Sequence, residues 1–180
     1  MAKLLIIIPA FKHGGTNKSL QNMLSFLGDK YEITILSLSH IGHYKKTLSN
    51  YRILNRNHTL SLIYDDFGKV DFRNETFCET SNKIFNKVYR RLFKIMIGKR
   101  GLEKGLTKAV KKIEEVKYDV IIAMQEGNAT YFGSRFSSRK IAWIRSDYSE
   151  YEKIMKLDEG DVYSKFDSVV CVSEYTKNTF

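Results

Sequence analysis

Residues 3 to 28 read KLLIIIPAFKHGGTNKSLQNMLSFLG, and their pattern decides the fold class. Leu4 to Ile8 are five consecutive apolar residues that end at Pro9, the chain's only proline. So short an apolar run before a breaker suits a strand buried on both faces of a parallel sheet. Pro9 cannot donate a ladder hydrogen bond, so the strand should stop near it. Gly14 and Gly15 then bring bare backbone into a loop. Thr16 or Asn17 can cap a helix whose apolar positions Leu20, Met23, Leu24 and Leu27 follow i, i+3, i+4 and i+7. Gly28 is a natural stop. Strand, glycine turn and capped helix form the first unit of a ligand-binding α/β sheet. The free N–H groups of a helix start favour a phosphate or carboxylate there. The alternative is a tight turn with no ligand.

Two familiar loop motifs are excluded. A dinucleotide fingerprint needs G-x-G-x-x-G and an acidic residue closing the second strand. Here there is one Gly-Gly pair, and the second strand ends in Leu38, Ser39 and His40. A P-loop needs a glycine immediately before Lys-Ser, where this chain has Asn17. Lys18 therefore reads as an ordinary residue of the first helical turn.

Apolar runs recur along the rest of the chain. YEITILSL at 31–38 predicts a second strand and TLSLIY at 59–64 a third. Residues 65–82 lack a helical period and read as a loop or excursion. Residues 83–97 and a second stretch carrying Leu102, Leu106, Ala109, Ile113 and Val116 predict two helices, broken at Gly98 and Gly101. YDVIIAM at 118–124, KIAWIR at 140–145 and DSVVCVS at 167–173 complete six strands, and Ser173 can cap a helix from Glu174. Alternating strands and helices imply one doubly wound, Rossmann-like α/β domain over residues 1–180. Its parallel sheet is expected in the order 3-2-1-4-5-6, with helices on both faces. In such sheets ligands lie beyond the carboxyl ends of the strands. Those ends are residues 10–16, 125–128, 145–148 and 173–174.

Length suits one domain. Cys78 and Cys171 lack zinc spacing and read as reduced thiols of a cytosolic protein. The N-terminus is too short for a signal peptide, and no run approaches a membrane span. His40, His43 and His58 show no metal-ligand pattern with carboxylates or cysteines, so no metal is expected. The net charge of +10 is concentrated. Residues 83–117 hold 12 Lys or Arg and 3 Glu, and the remainder 18 basic and 17 acidic residues. Lys83, Lys87, Arg90, Arg91 and Lys94 share one arc of the first helix, with Phe85, Val88, Tyr89, Leu92 and Met96 opposite. The basic face meets an anionic membrane surface, or it is solvated while the apolar face packs on the sheet. Nucleic acid is not expected, because no recognition motif accompanies the patch.

The opening KLLIIIPAFKHGGTNKSLQNML, the YDVIIAM strand, the KIAWIRSDY segment and the closing FDSVVCVSEYTKNTF together resemble the N-terminal domain of glycosyltransferase family 4. These are retaining enzymes built from two facing Rossmann-like domains, the GT-B architecture. The resemblance runs over essentially all 180 residues, with no support drawn from about residues 40–117, where such enzymes differ most. It implies an acceptor-binding half, acting on a glycan or lipid-linked acceptor in surface polysaccharide or glycolipid synthesis. The nucleotide-sugar donor would bind mainly on a C-terminal domain absent from these residues, so the chain alone would be inactive. It implies a cytoplasmic enzyme able to sit peripherally at the inner face of the plasma membrane, with the Gly14-Gly15 loop facing the interdomain cleft. Many members place a His just after the fifth strand, where this chain has Arg145. Arginine cannot act as a general base at neutral pH. It can clamp a phosphate or carboxylate.

The expected cleft residues are Gly14, Gly15, Thr16, Glu126, Asn128, Arg145, Asp147 and Ser173, with Lys87, Arg90, Arg91 and Lys94 as the anion or membrane surface. Each has a plainer reading. Arg145 and Asp147 form a cleft pair or a surface ion pair. Glu126 and Asn128 bind sugar hydroxyls, or Asn128 caps a helix beside a solvated Glu126. His13 reaches substrate or idles in its loop, and Trp143 is core or interface before it is a sugar platform. The competing function is a stand-alone Rossmann-like module that binds an anionic ligand or nucleotide without catalysis.

Overall fold

The computed structural model describes residues 1–12, 14–39, 42–55, 57, 60, 63–64, 83–155 and 160–180. The strands are β1 (Lys3–Ala10), β2 (Glu32–Ser39), β3 (Arg52–Ile53), β4 (Val120–Ala123), β5 (Arg139–Ile144) and β6 (Ser168–Cys171). The helices are α1 (Gly15–Leu27), α2 (Lys83–Glu114), α3 (Asn128–Gly133), α4 (Tyr148–Met155), α5 (Gly160–Tyr163) and α6 (Glu174–Thr179). The six strands form one all-parallel sheet in the order β3-β2-β1-β4-β5-β6. This is the doubly wound α/β sheet the alternation predicts.

The run LLIIIP fixes β1 at the centre. Leu5, Ile6, Ile7 and Ile8 are all 0% exposed, which requires cover on both faces of the sheet. Alternation then sorts the strand. Leu5 and Ile7 join Leu106, Ala109, Val110 and Ile113 of α2 and Phe132 of α3 on one face. Leu4, Ile6 and Ile8 join Leu20 and Leu24 of α1, with Tyr44 and Leu48, on the other. Burying each such side chain stabilises the domain by roughly 1.5–3 kcal/mol. Pro9 takes no place in the pairing with β2, and the strand ends one residue later.

Several local expectations are corrected. The N-cap of α1 is Gly14, with no side-chain cap, so neither Thr16 nor Asn17 caps the helix. Both side chains are engaged elsewhere. Gly28 does end α1, though in a right-handed conformation. What requires glycine there is space, since a Cβ would sit 2.8 Å from the Tyr51 hydroxyl and 2.9 Å from the Leu24 carbonyl.

The third strand is not at 59–64. Arg52 and Ile53 pair with Thr34 and Ile35, while the described residues Leu60, Ile63 and Tyr64 are helical. Their spacing of i, i+3 and i+4 turns them together into the core with Phe132. The Asn57 carboxamide oxygen accepts from the Leu60 N–H at 3.2 Å, the bond of a helix cap. The loop expected at 65–82 and the histidines 13, 40 and 58 lie outside the described residues.

The two expected helices are both present within α2 and part at Gly98, whose φ of 63° and ψ of 176° are open essentially to glycine alone. Gly101 continues the helix. After the break, the stripe Leu106, Ala109, Val110 and Ile113 is buried. Before it, Leu92 and Met96 are exposed, so this part of the apolar face does not pack on the sheet. A two-pronged ion pair from Arg135 to Glu103, at 2.6 and 2.9 Å, fastens the packed half to the segment after α3.

Candidate functional site

The carboxyl ends of β1, β4 and β5 converge. The first of them carries the loop of Gly14 and Gly15, both exposed, and a Cβ at either would meet nothing within 4 Å. The loop's shape is set from below by Asn17. This side chain is 3% exposed, and its amide donates to the carbonyls of Ala10 at 2.9 Å and Lys12 at 2.6 Å. One buried amide thereby turns the chain from strand into helix. Thr16 donates to the Gln125 side-chain oxygen at 2.9 Å, joining the loop to the end of β4.

Glu126 follows Gln125 and is only 4% exposed, so it is not the solvated carboxylate of the plainer expectation. Its carboxylate accepts from the Arg145 backbone N–H at 3.0 Å and from the Ser146 hydroxyl. A buried carboxylate of this kind needs such donors to offset its desolvation. The two bonds fix the backbone direction at the end of β5 and hence the exit of the Arg145 side chain.

Arg145 reaches back to the first loop. Its Nη2 donates to the Gly15 carbonyl at 3.3 Å, and its Cζ lies 5.7 Å from the centre of the Trp143 ring. Nη1 is buried and has no hydrogen-bond partner. Burial pulls the guanidinium below its ordinary pKa, and the Glu126 charge partly opposes that shift. The group remains a cation throughout the physiological range. The site therefore holds a fixed positive charge beside open glycine backbone, with Nη1 turned inward and unpaired.

The other expected residues lie elsewhere. Asp147 does not pair with Arg145. It accepts from Tyr175 at 2.6 Å, from Ser149 at 2.8 Å and from the Glu150 N–H at 3.3 Å. These bonds, led by that from Tyr175, hold its carboxyl below the usual carboxylate range. Asn128 is exposed at the first position of α3, whose N-cap is Gly127, so Asn128 is not the cap. Ser173 caps α6, accepting from the Thr176 N–H at 3.1 Å. It also lines a recess with Val169, Cys171 and Phe180 that includes none of the residues around Arg145. The α2 backbone carries Lys87, Arg90, Arg91 and Lys94, whose side chains lie outside the described part of the structure. Trp143 is half-buried against the core under α1.

Sequence reading did not single out Asn17 as the organiser of the loop, nor Gln125 and Ser146 as its cross-links. Asn17 carried a signal, a polar residue one turn before Leu20 on the side that faces the sheet. Among the described residues, no three His, Cys, Asp or Glu side chains gather to hold a metal. No protein-family model matches the chain, and no curated protein matches it.

Proposed function

We propose that this chain is the acceptor-binding half of a retaining glycosyltransferase, transferring sugar from a nucleotide-sugar to a glycan or lipid-linked acceptor in surface polysaccharide or glycolipid synthesis. The observation that carries the reading is Arg145: a half-buried cation hydrogen-bonded to the open Gly14-Gly15 loop at the carboxyl ends of β1, β4 and β5. Sugar transfer from a nucleotide diphosphate concentrates negative charge on the leaving group, and fixed donors aimed at that charge lower the barrier. Arg145 serves here as an anion clamp for the diphosphate or an acidic acceptor, and it moves no proton. Glu126 is its positioning residue. The donor base and sugar belong to a second α/β unit facing this one.

A second reading draws on the same residue. A stand-alone α/β module that holds an anionic ligand would need the same clamp and no facing unit. The two part on turnover. The full-length protein carrying this chain is incubated with a panel of uridine and guanosine diphosphate sugars and a membrane-lipid extract. Release of nucleoside diphosphate coupled to a glycosylated product supports transfer, and Arg145→Ala should lower that rate about 10- to 100-fold. Ligand retention with no product from any donor favours the module. A turnover unchanged in Arg145→Ala refutes the clamp.

A further inference from the structure

Helix α2 changes character at Gly98. After the break its apolar stripe is core, with Leu106, Ala109 and Val110 at most 5% exposed. Before it, Leu92, Ile95 and Met96 stand 53%, 69% and 84% exposed. These three recur at i, i+3 and i+4, so they form one face rather than scattered contacts. Three large apolar side chains on one turn of a helix are an unusual thing to leave in water.

The same segment is strongly cationic. Residues 83–100 contain Lys83, Lys87, Arg90, Arg91, Lys94, Lys99 and Arg100 and no acidic residue. An apolar stripe bordered only by positive charge is the pattern of a helix that lies in a lipid–water interface. The apolar face enters the acyl boundary while Lys and Arg meet anionic headgroups. Residues 83–97 make a rod of about 22 Å, too short to span a bilayer core of about 30 Å. Among the described residues, no helix is long and apolar enough to cross.

We propose that residues 83–97 are an interfacial membrane anchor, and that the occupant of the exposed Leu92–Ile95–Met96 face is an anionic bilayer surface. Charge selects that occupant. A second copy of this chain would set two cationic segments against each other, and a neutral apolar partner would leave the basic residues without a role. Gly98 is the joint that lets the anchor leave the helix packed on the sheet. The inference stands apart from the glycosyltransferase reading, since it concerns what the domain rests on and not what it catalyses.

The test is co-sedimentation of the chain with phosphatidylcholine vesicles, with and without phosphatidylglycerol. The chain should pellet with the anionic vesicles alone, and raised salt should weaken that binding. Two variants separate the contributions. K87Q/R90Q/R91Q/K94Q keeps helix propensity and removes four charges. L92S/I95S/M96S keeps the charges and removes the apolar face. Each should lower the partition coefficient at least about tenfold with the thermal melt unchanged. Equal partitioning into neutral and anionic vesicles overturns the proposal. So does anionic binding that survives L92S/I95S/M96S, which would indicate a soluble polyanion such as nucleic acid or an acidic protein. Loss of folding in that variant also overturns it, because it would mean the face is covered by the protein itself.

Discussion

The guanidinium of Arg145 donates to the carbonyl of Gly15 at 3.3 Å, across a separation of 130 residues in sequence. The bond joins the end of β5 to the loop after β1, the two edges between which a ligand of this sheet would lie. It is long and ends on an exposed loop, so it adds little to stability. Arg145→Ala should change unfolding free energy by less than about 1 kcal/mol, measured by urea denaturation. Its effect should fall on anion binding. A large stability loss would make Arg145 a structural residue.

Asn17 is the opposite case. It spends both amide hydrogens on the carbonyls of Ala10 and Lys12, where the chain leaves β1 for α1. Asn17→Ala leaves the carbonyls of Ala10 and Lys12 without those donors and should cost about 2 kcal/mol. The thermal midpoint should fall by several degrees, and amide exchange should speed up from Lys12 to Thr16. An unchanged midpoint would mean that water replaces the amide without penalty.

Gly42 is expected to tolerate no side chain. Its φ is +115°, and a Cβ would lie 2.1 Å from the Phe11 carbonyl oxygen. Phe11 is 0% exposed, and its carbonyl accepts from the Tyr44 N–H, so the backbone it belongs to cannot give way. Gly42→Ala should destabilise by about 3 kcal/mol or more. A calorimetric scan matching wild type would show that the 42–46 turn can be rebuilt.

The bond from Tyr175 to Asp147 gives a pH dependence of known sign. Because the folded-state pKa of Asp147 lies below its ordinary value, its contribution is fully present above the ordinary carboxylate range. It is lost as pH falls through the lowered value. Tyr175→Phe removes the largest cause of the shift. The difference in melting temperature between wild type and this variant should be constant near neutrality and close in acid. A difference that widened in acid would contradict the assignment.

The sheet was legible because its strands are extreme. A run such as LLIII has no plausible place but a doubly covered strand, and five strand-forming apolar runs with intervening helical periods leave few topologies. β3 was not legible, since two residues at a sheet edge carry no period, and the nearby TLSLIY is apolar enough to serve as strand or helix. Only the cap at Asn57 marks the difference. The site was legible by position and not by contact. Strand ends located Arg145 and the glycine loop. Sequence spacing could not reveal that Asp147 turns to Tyr175, or that Glu126 is buried, because both depend on long-range neighbours. Spacing alone read Asn17 as a helix cap, whereas its amide reaches back to Ala10 and Lys12 and builds the loop.

The central claim is that Arg145 and the Gly14-Gly15 loop hold an anionic group. Nitrogen-15 NMR titration of the chain with inorganic pyrophosphate tests it most directly. The account predicts weak, saturable shifts at Gly14, Gly15, Thr16 and the Arg145 side chain, with affinity in the millimolar range because one open wall cannot enclose a ligand. Arg145→Gln should abolish them while the rest of the spectrum is kept. Shifts confined to other residues, or the same titration in Arg145→Gln, would contradict the account.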